Sequence, residues 1–151
     1  MNDNFQNRFN WLLEKELAIG IAPLTNEHLL FLKTNGINAI LNLCYEEEVN
    51  IPKNISNDFI FERFSLPDHN FPEEITIEKI NIVLVLIERL IKKGPLFIHC
   101  KEAIERSPLI CMAWLIKKHN LNKLQALNYL MKKNKFTCPT TNQLRILDEI
   151  L

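Results

Sequence analysis

Glycine is scarce in this chain: 151 residues include three, Gly20, Gly36 and Gly94. Each falls at an expected element boundary, and no internal repeat or low-complexity block accompanies them. The four cysteines, Cys44, Cys100, Cys111 and Cys138, form no CxxC pair and no dense framework. Free thiols in a reducing, cytoplasmic setting are the expectation. Cys44 and Cys111 stand in apolar surroundings and read as core, whereas Cys138 reads as a loop residue. An excess of either charge is also missing, because 18 basic residues face 18 acidic ones. Neutrality gives no general reason to expect nucleic acid or an anionic membrane as partner. The start, MNDNFQNRFN, carries no apolar stretch of the secretory kind. The most apolar run, Ile82 to Ile87, is far shorter than the roughly 20 residues of a spanning helix. It reads as a buried helix segment. No ligand cluster with metal spacing is present, so neither metal nor cofactor is expected.

What the chain does have is apolar content, 47% of residues, enough for a globular core. One domain over residues 1–151 and a monomer are expected. Leu17–Ile19 reads as a short strand ending at Gly20. Thr25 is placed to cap a helix containing Leu29, Leu30 and Leu32 and stopped by Gly36. Ile37 to Leu43 is a bounded apolar run, a buried strand. Phe59 to Phe64 is another, ending before the loop SLPDHNFPEE. A long helix follows over about Ile75 to Lys93, stopped by Gly94-Pro95. Leu96–Ile98 is a further strand, and helices are expected over Ser107–His119, Lys123–Lys133 and Thr141–Leu151. Strands alternating with helices predict an α/β fold: a central, parallel-rich sheet of about four to five strands flanked by helices. Sites in such folds lie where strands end and helices begin.

One such junction is FIHCKEAIERSPL, residues 97–109. Cys100 closes the strand and Ser107 opens the helix. The five residues between Cys100 and Arg106, namely Lys101, Glu102, Ala103, Ile104 and Glu105, are enough to curl so that their N–H groups converge. That makes an anion nest at a positive helix N-terminus. Arg106 adds a planar fork suited to two oxygens of one phosphate. The same field favours the thiolate form of Cys100, a nucleophile, and Ser107 is placed to hydrogen-bond it. The bland alternative is a buried cysteine and a surface arginine that never meet.

His-Cys-(five residues)-Arg-Ser, at His99 to Ser107, resembles the signature of the cysteine-dependent protein tyrosine phosphatases. The tail RSPLICMAWLI resembles the small dual-specificity branch, and the layout of ELAIGIAP, a helix and NGINAILNLCYEEE is similar to that family's N-terminal half. The resemblance implies a dual-specificity phosphatase-like fold and a phosphorylated protein substrate. It implies nucleophile Cys100, phosphate binding by Lys101 to Arg106, and a role for His99 in tuning the thiolate. It also implies a general acid on a mobile loop. Asp68, in LPDHNFP and 32 residues before Cys100, fits that role. His69 is the neighbouring alternative. Gln143 resembles a late glutamine that orients hydrolytic water in some phosphatases, although a solvated helix residue is an equal reading.

Two residues depart from the pattern. Relatives usually carry glycine where Ala103 stands, and often glycine or serine where Glu105 stands. Alanine at a φ > 0 position costs about 1 kcal/mol. A glutamate facing the pocket would repel phosphate and oppose the thiolate. One that points away could pair with Lys101, Arg106 or another basic residue. Three readings therefore compete: an active dual-specificity phosphatase, a phosphoinositide phosphatase, and a pseudophosphatase acting as a binding module. Myotubularin-type enzymes also carry acidic residues at the positions of Glu102 and Glu105. Retention of Cys100, Arg106, Ser107 and Asp68 argues against the third reading.

Overall fold

A computed structural model describes residues 4–150. Three strands of four residues each are wholly buried: β2 (Leu17–Gly20), β3 (Ala39–Asn42) and β5 (Leu96–His99). Two more complete the sheet, β1 (Asn10–Leu13) and β4 (Ile60–Arg63), in the order β1-β2-β5-β3-β4. β1 runs antiparallel to β2, and the other pairs are parallel. Continuous apolar strands fit such a sheet because both faces are covered.

Alternation along the strands sorts the core into two layers. Leu17, Ile19, Ala39, Leu41, Leu96 and Ile98 face one way, with residues of α4 (Ile77–Ile91), α5 (Arg106–His119) and α6 (Lys123–Lys133). Ala18, Ile40 and Phe97 face the other, with α1 (Asn4–Arg8), α2 (Asn26–Thr34) and α3 (Ile55–Asp58). That second layer is aromatic: Phe9 stacks on Phe97 at 5.8 Å, and Phe5 meets Phe31 edge-on at 5.9 Å. Such pairs add about 0.5–1.5 kcal/mol each beyond area burial.

Helix ends follow the local chemistry. The Thr25 hydroxyl accepts from His28 N at 3.1 Å and caps α2. Thr76 does the same for α4, whose stripe of Ile80, Val83, Leu84, Ile87 and Leu90 is buried. Ile82 and Val85 lie on its solvent side, so the apolar run is not buried throughout. In α5 every residue from Arg106 to Leu115 is buried. α7 is a short helix, Thr141–Ile146, followed by a 3-10 turn at Leu147–Glu149. The expected helix to Leu151 is thus shorter, and Leu151 lies outside the described residues. Among the described residues no helix is long and apolar enough to cross a membrane.

β1, α1 and α3 were not anticipated. Their apolar residues are few and isolated, and long-range packing stabilises them: Phe5 of α1 is 1% exposed against Phe97 and α2. Gly94 ends the turn after α4 at φ +139, and a Cβ there would meet Asn38 Cβ at 2.8 Å. Gly94→Ala should therefore lower stability by about 1–3 kcal/mol through strain and overlap. Urea unfolding of the two proteins checks this, and an unchanged midpoint would contradict it.

Candidate active site

β5 ends at His99, between Gly20 of β2 and Asn42 of β3. Chain leaving this central strand enters the loop 100–105 and then α5. Cys100 is buried and Arg106 is almost fully so. They share a pocket of about 330 Å³ with Lys101, Glu102, Ile104, Glu105, Glu48 and the segment Asp68–Phe71. The structure thus brings Cys100, Arg106, Asp68 and four loop residues together.

The loop's shape comes from its carbonyls. Cys100 O accepts from His99 Nδ1 at 3.0 Å, and Lys101 O from Ala22 N at 3.4 Å. Glu102 O accepts from the Arg8 guanidinium. Ala103 O accepts from Asn134 Nδ2 at 2.8 Å, Ile104 O from Cys138 N at 2.7 Å, and Glu105 O from Leu109 N at 3.0 Å. None of these donor residues lines the pocket. In a trans peptide the next N–H points opposite to the carbonyl, and no cis bond is present among the described residues. The N–H groups of Lys101 to Arg106 are therefore turned toward the pocket. Those of Lys101 to Glu105 make no hydrogen bond within the described protein. Converging free N–H groups at the start of a 14-residue helix have the geometry suited to an anion.

Ala103 occupies the left-handed region at φ +55. Glycine would adopt this freely; alanine does so at a cost of about 1–2 kcal/mol. Its methyl is fully buried, and that burial offsets about 0.8 kcal/mol. Ala103 packs in the core and its side chain does not line the pocket.

Arg106 is held by Glu48. Nη1 donates to Glu48 Oε2 at 2.9 Å and to Leu66 O at 3.0 Å, and Nη2 donates to Glu48 Oε1 at 2.9 Å. Three of the five N–H donors are thus occupied, leaving Nε–H and one on Nη2, which form a fork along one edge. Burial opposes the charge, but the bonds to Glu48 and the nearby thiols outweigh it and raise the Arg106 pKa further. Glu48 Oε2 also accepts from Tyr45 N at 2.6 Å. Glu48, Arg8 and Asn134 were not identified from sequence. Glu48 stands in a run of three glutamates, and nothing local distinguishes it from its neighbours.

Asp68 Oδ1 accepts from Asn70 N at 2.8 Å, and Oδ2 lies 3.7 Å from Arg106 Nη2. The carboxyl is thus beside the cation, at the mouth of the pocket. His69 contacts Glu105, whose carboxylate also accepts from Gln143 Nε2 at 3.1 Å. Gln143 Oε1 accepts from Thr140 N at 2.8 Å. One N–H and one lone pair of that amide are thus in use, which ties Gln143 to Glu105 and to the start of α7. Ser107 Oγ is buried without a hydrogen-bond partner among the described residues.

His99 is fully buried. Its Nδ1 faces a carbonyl and so carries the proton. Burial pushes its pKa down to about 4, against the bond to Cys100 O and with help from Arg63 and Arg106. The imidazole is neutral at physiological pH and anchors the start of the loop. Burial likewise pushes the Cys44 thiol up to about 12 and raises the Cys111 thiol. All four cysteines are free.

Residues 22–150 match the family described as dual specificity phosphatase, catalytic domain. The chain belongs to this family. Dual specificity protein phosphatase 14 of mouse is 29% identical over 130 residues, covering 84% of this chain and 61% of that protein. The human counterpart is 28% identical over 116 residues, 76% of this chain and 54% of its own length. The chain therefore spans less than two thirds of these relatives. Among solved structures, Tk-PTP in its active form has a TM-score of 0.82 at 18% identity, covering 95% of both chains. PTPMT1 in complex with PI(5)P has a TM-score of 0.80 at 18% identity, covering 94% of this chain and 93% of that one. These two bear out the α/β, parallel-rich fold.

Two consequences can be measured. Glu48→Ala removes the two-pronged partner of the nearly buried Arg106, leaving the Asp68 carboxylate at 3.7 Å as its countercharge, and should cost about 3 kcal/mol of stability; urea unfolding reads this directly. His99 gives a pH signature. With its folded pKa near 4 and an ordinary value of 6.5, the unfolded chain binds the proton first as pH falls. Stability should fall from about pH 6.5 to pH 4, by about 3 kcal/mol from this residue. Thermal melts of His99→Gln should be flatter across that window, and a slope equal to wild type would contradict the assignment.

Proposed function

We propose that the chain hydrolyses phosphate monoesters on proteins through a phosphocysteine intermediate. The observation that carries this reading is the inward-facing ring of N–H groups around Cys100, with the free edge of Arg106 beside it. Three phosphoryl oxygens match that donor set, and Cys100 lines the same pocket.

The Cys100 thiolate attacks phosphorus as the bond to the substrate oxygen breaks. Loop N–H groups and Arg106 stabilise the transferring phosphoryl group. Asp68 donates its proton to the leaving oxygen. Water then attacks phosphorus, Asp68 takes its proton, and the P–S bond breaks to release phosphate and the thiolate. Ser107 is suited to receive that thiolate, because its buried hydroxyl is otherwise unpaired. Neutral His99 holds the carbonyl of the nucleophile.

The lining favours a protein over a phosphoinositide. Glu48, Asp68, Glu102 and Glu105 stand against Lys101 and Arg106, and Arg106 is already paired with Glu48. A headgroup with several phosphates would meet more negative than positive charge. The presence of Cys100, Arg106 and Asp68 in one pocket speaks for turnover rather than binding alone. Four free thiols suit a cytoplasmic, reducing setting.

Para-nitrophenyl phosphate hydrolysis under reducing conditions tests the reading. Wild type should turn over, and Cys100→Ser should not, while still binding orthophosphate. Asp68→Asn should lower kcat about 10²–10³-fold for poor leaving groups and much less for good ones. Equal loss across leaving groups would remove Asp68 from the mechanism.

A further inference from the structure

Glu105 is the residue with least place in a phosphate nest, yet its carboxylate has definite partners. It is the N-cap of α5 but makes no side-chain cap bond to its own helix. One oxygen contacts His69 Nδ1 and the other accepts from Gln143 Nε2 at 3.1 Å. Gln143 is 7% exposed and fixed by reciprocal bonds with Thr140 at the start of α7. The carboxylate is therefore anchored on one side and reaches His69 on the other.

His69 is the neighbour of Asp68, on a segment whose ends are packed by buried Pro67 and Ile75 but whose middle has few hydrogen bonds. Within residues 67–75 the remaining hydrogen bonds are local, Asn70 N to Asp68 Oδ1 and Phe71 N to Asp68 O. Phe71 meets Tyr45 at 4.7 Å, and Asp68 Oδ2 approaches Arg106 at 3.7 Å. Among the described residues, the His69–Glu105 contact is the one hydrogen bond joining this segment to the rest of the chain.

We infer that Glu105 and His69 form a latch that holds the acid loop over the pocket and sets the position of the Asp68 carboxyl. Both are positioning residues. The role rests on the phosphatase reading given above. It accounts for an acidic side chain beside the phosphate nest, because the imidazole and the Gln143 amide occupy its oxygens.

The test uses a series of aryl and alkyl phosphates of graded leaving-group pKa, with wild type, Glu105→Ala, His69→Ala, the double variant and Glu105→Gln. In each single variant the ratio of kcat for good to poor leaving groups should rise about tenfold, because protonation is what misplacement of Asp68 impairs. The double variant should show no further rise. Glu105→Gln can still accept from Gln143 Nε2 through its amide oxygen and donate its NH2 to an unprotonated His69 Nδ1, and should restore most of the ratio. Amide hydrogen exchange across residues 67–75 should quicken in both single variants. An unchanged ratio, equal loss for all esters, or effects that multiply in the double variant would overturn the latch. Unchanged exchange in an active protein would overturn it as well. Wild type inactive on every ester overturns the phosphatase reading instead, and the exchange measurement then still decides whether the contact holds the segment.

Discussion

The carbonyl oxygens from Cys100 to Glu105 are each held by a donor outside the pocket, and the planar trans peptide turns the following N–H groups inward. Much of the chain's path serves this. Arg8 comes from α1, Ala22 from just beyond β2, and Asn134 and Cys138 from the stretch between α6 and α7. Segments from both halves of the sequence meet around six residues. Asn134 is fully buried and also bonds Thr137 at 3.0 Å, so the anchor is itself anchored. A loop bound on its outer side need not reorganise when an anion arrives, which is the condition for electrostatic stabilisation to be effective.

Charge is the second constraint. A buried guanidinium needs a partner, and Glu48 supplies one without blocking the edge that faces the pocket. The arrangement keeps Arg106 charged and fixed in orientation. Acidic groups then line the pocket more densely than basic ones, which leaves the backbone N–H groups, Lys101 and Arg106 as its donors. Glu105 is tolerated in this setting because its carboxylate has partners of its own. Ala103 is tolerated because its methyl is buried in the core, away from the pocket.

The sequence made some of this legible and not the rest. Apolar runs at Leu17, Ile37 and Leu96 marked the three buried strands, Thr25 and Gly36 marked the ends of α2, and Gly94-Pro95 marked the end of α4. These signals are local, so they survive without knowledge of the fold. The signature from His99 to Ser107 and the Pro-Asp pair at Asp68 named residues that the fold does bring together. The strand β1 and the helices α1 and α3 were not legible, because they are stabilised by distant partners rather than by their own pattern. Glu48, Arg8 and Asn134 were missed for the same reason: their meaning lies in contacts spanning 58, 94 and 31 positions. Glu105 was visible as an oddity, but its partners His69 and Gln143 could not be read as a set.

The most direct measurement of the central claim is the backbone ¹⁵N–¹H spectrum of Cys100→Ser during titration with orthophosphate. The N–H signals of Lys101 to Arg106 should move downfield together and saturate with one affinity, as each donates to the bound anion. Saturable binding that leaves those signals in place would mean the anion is held elsewhere, and the inward-facing nest would be contradicted.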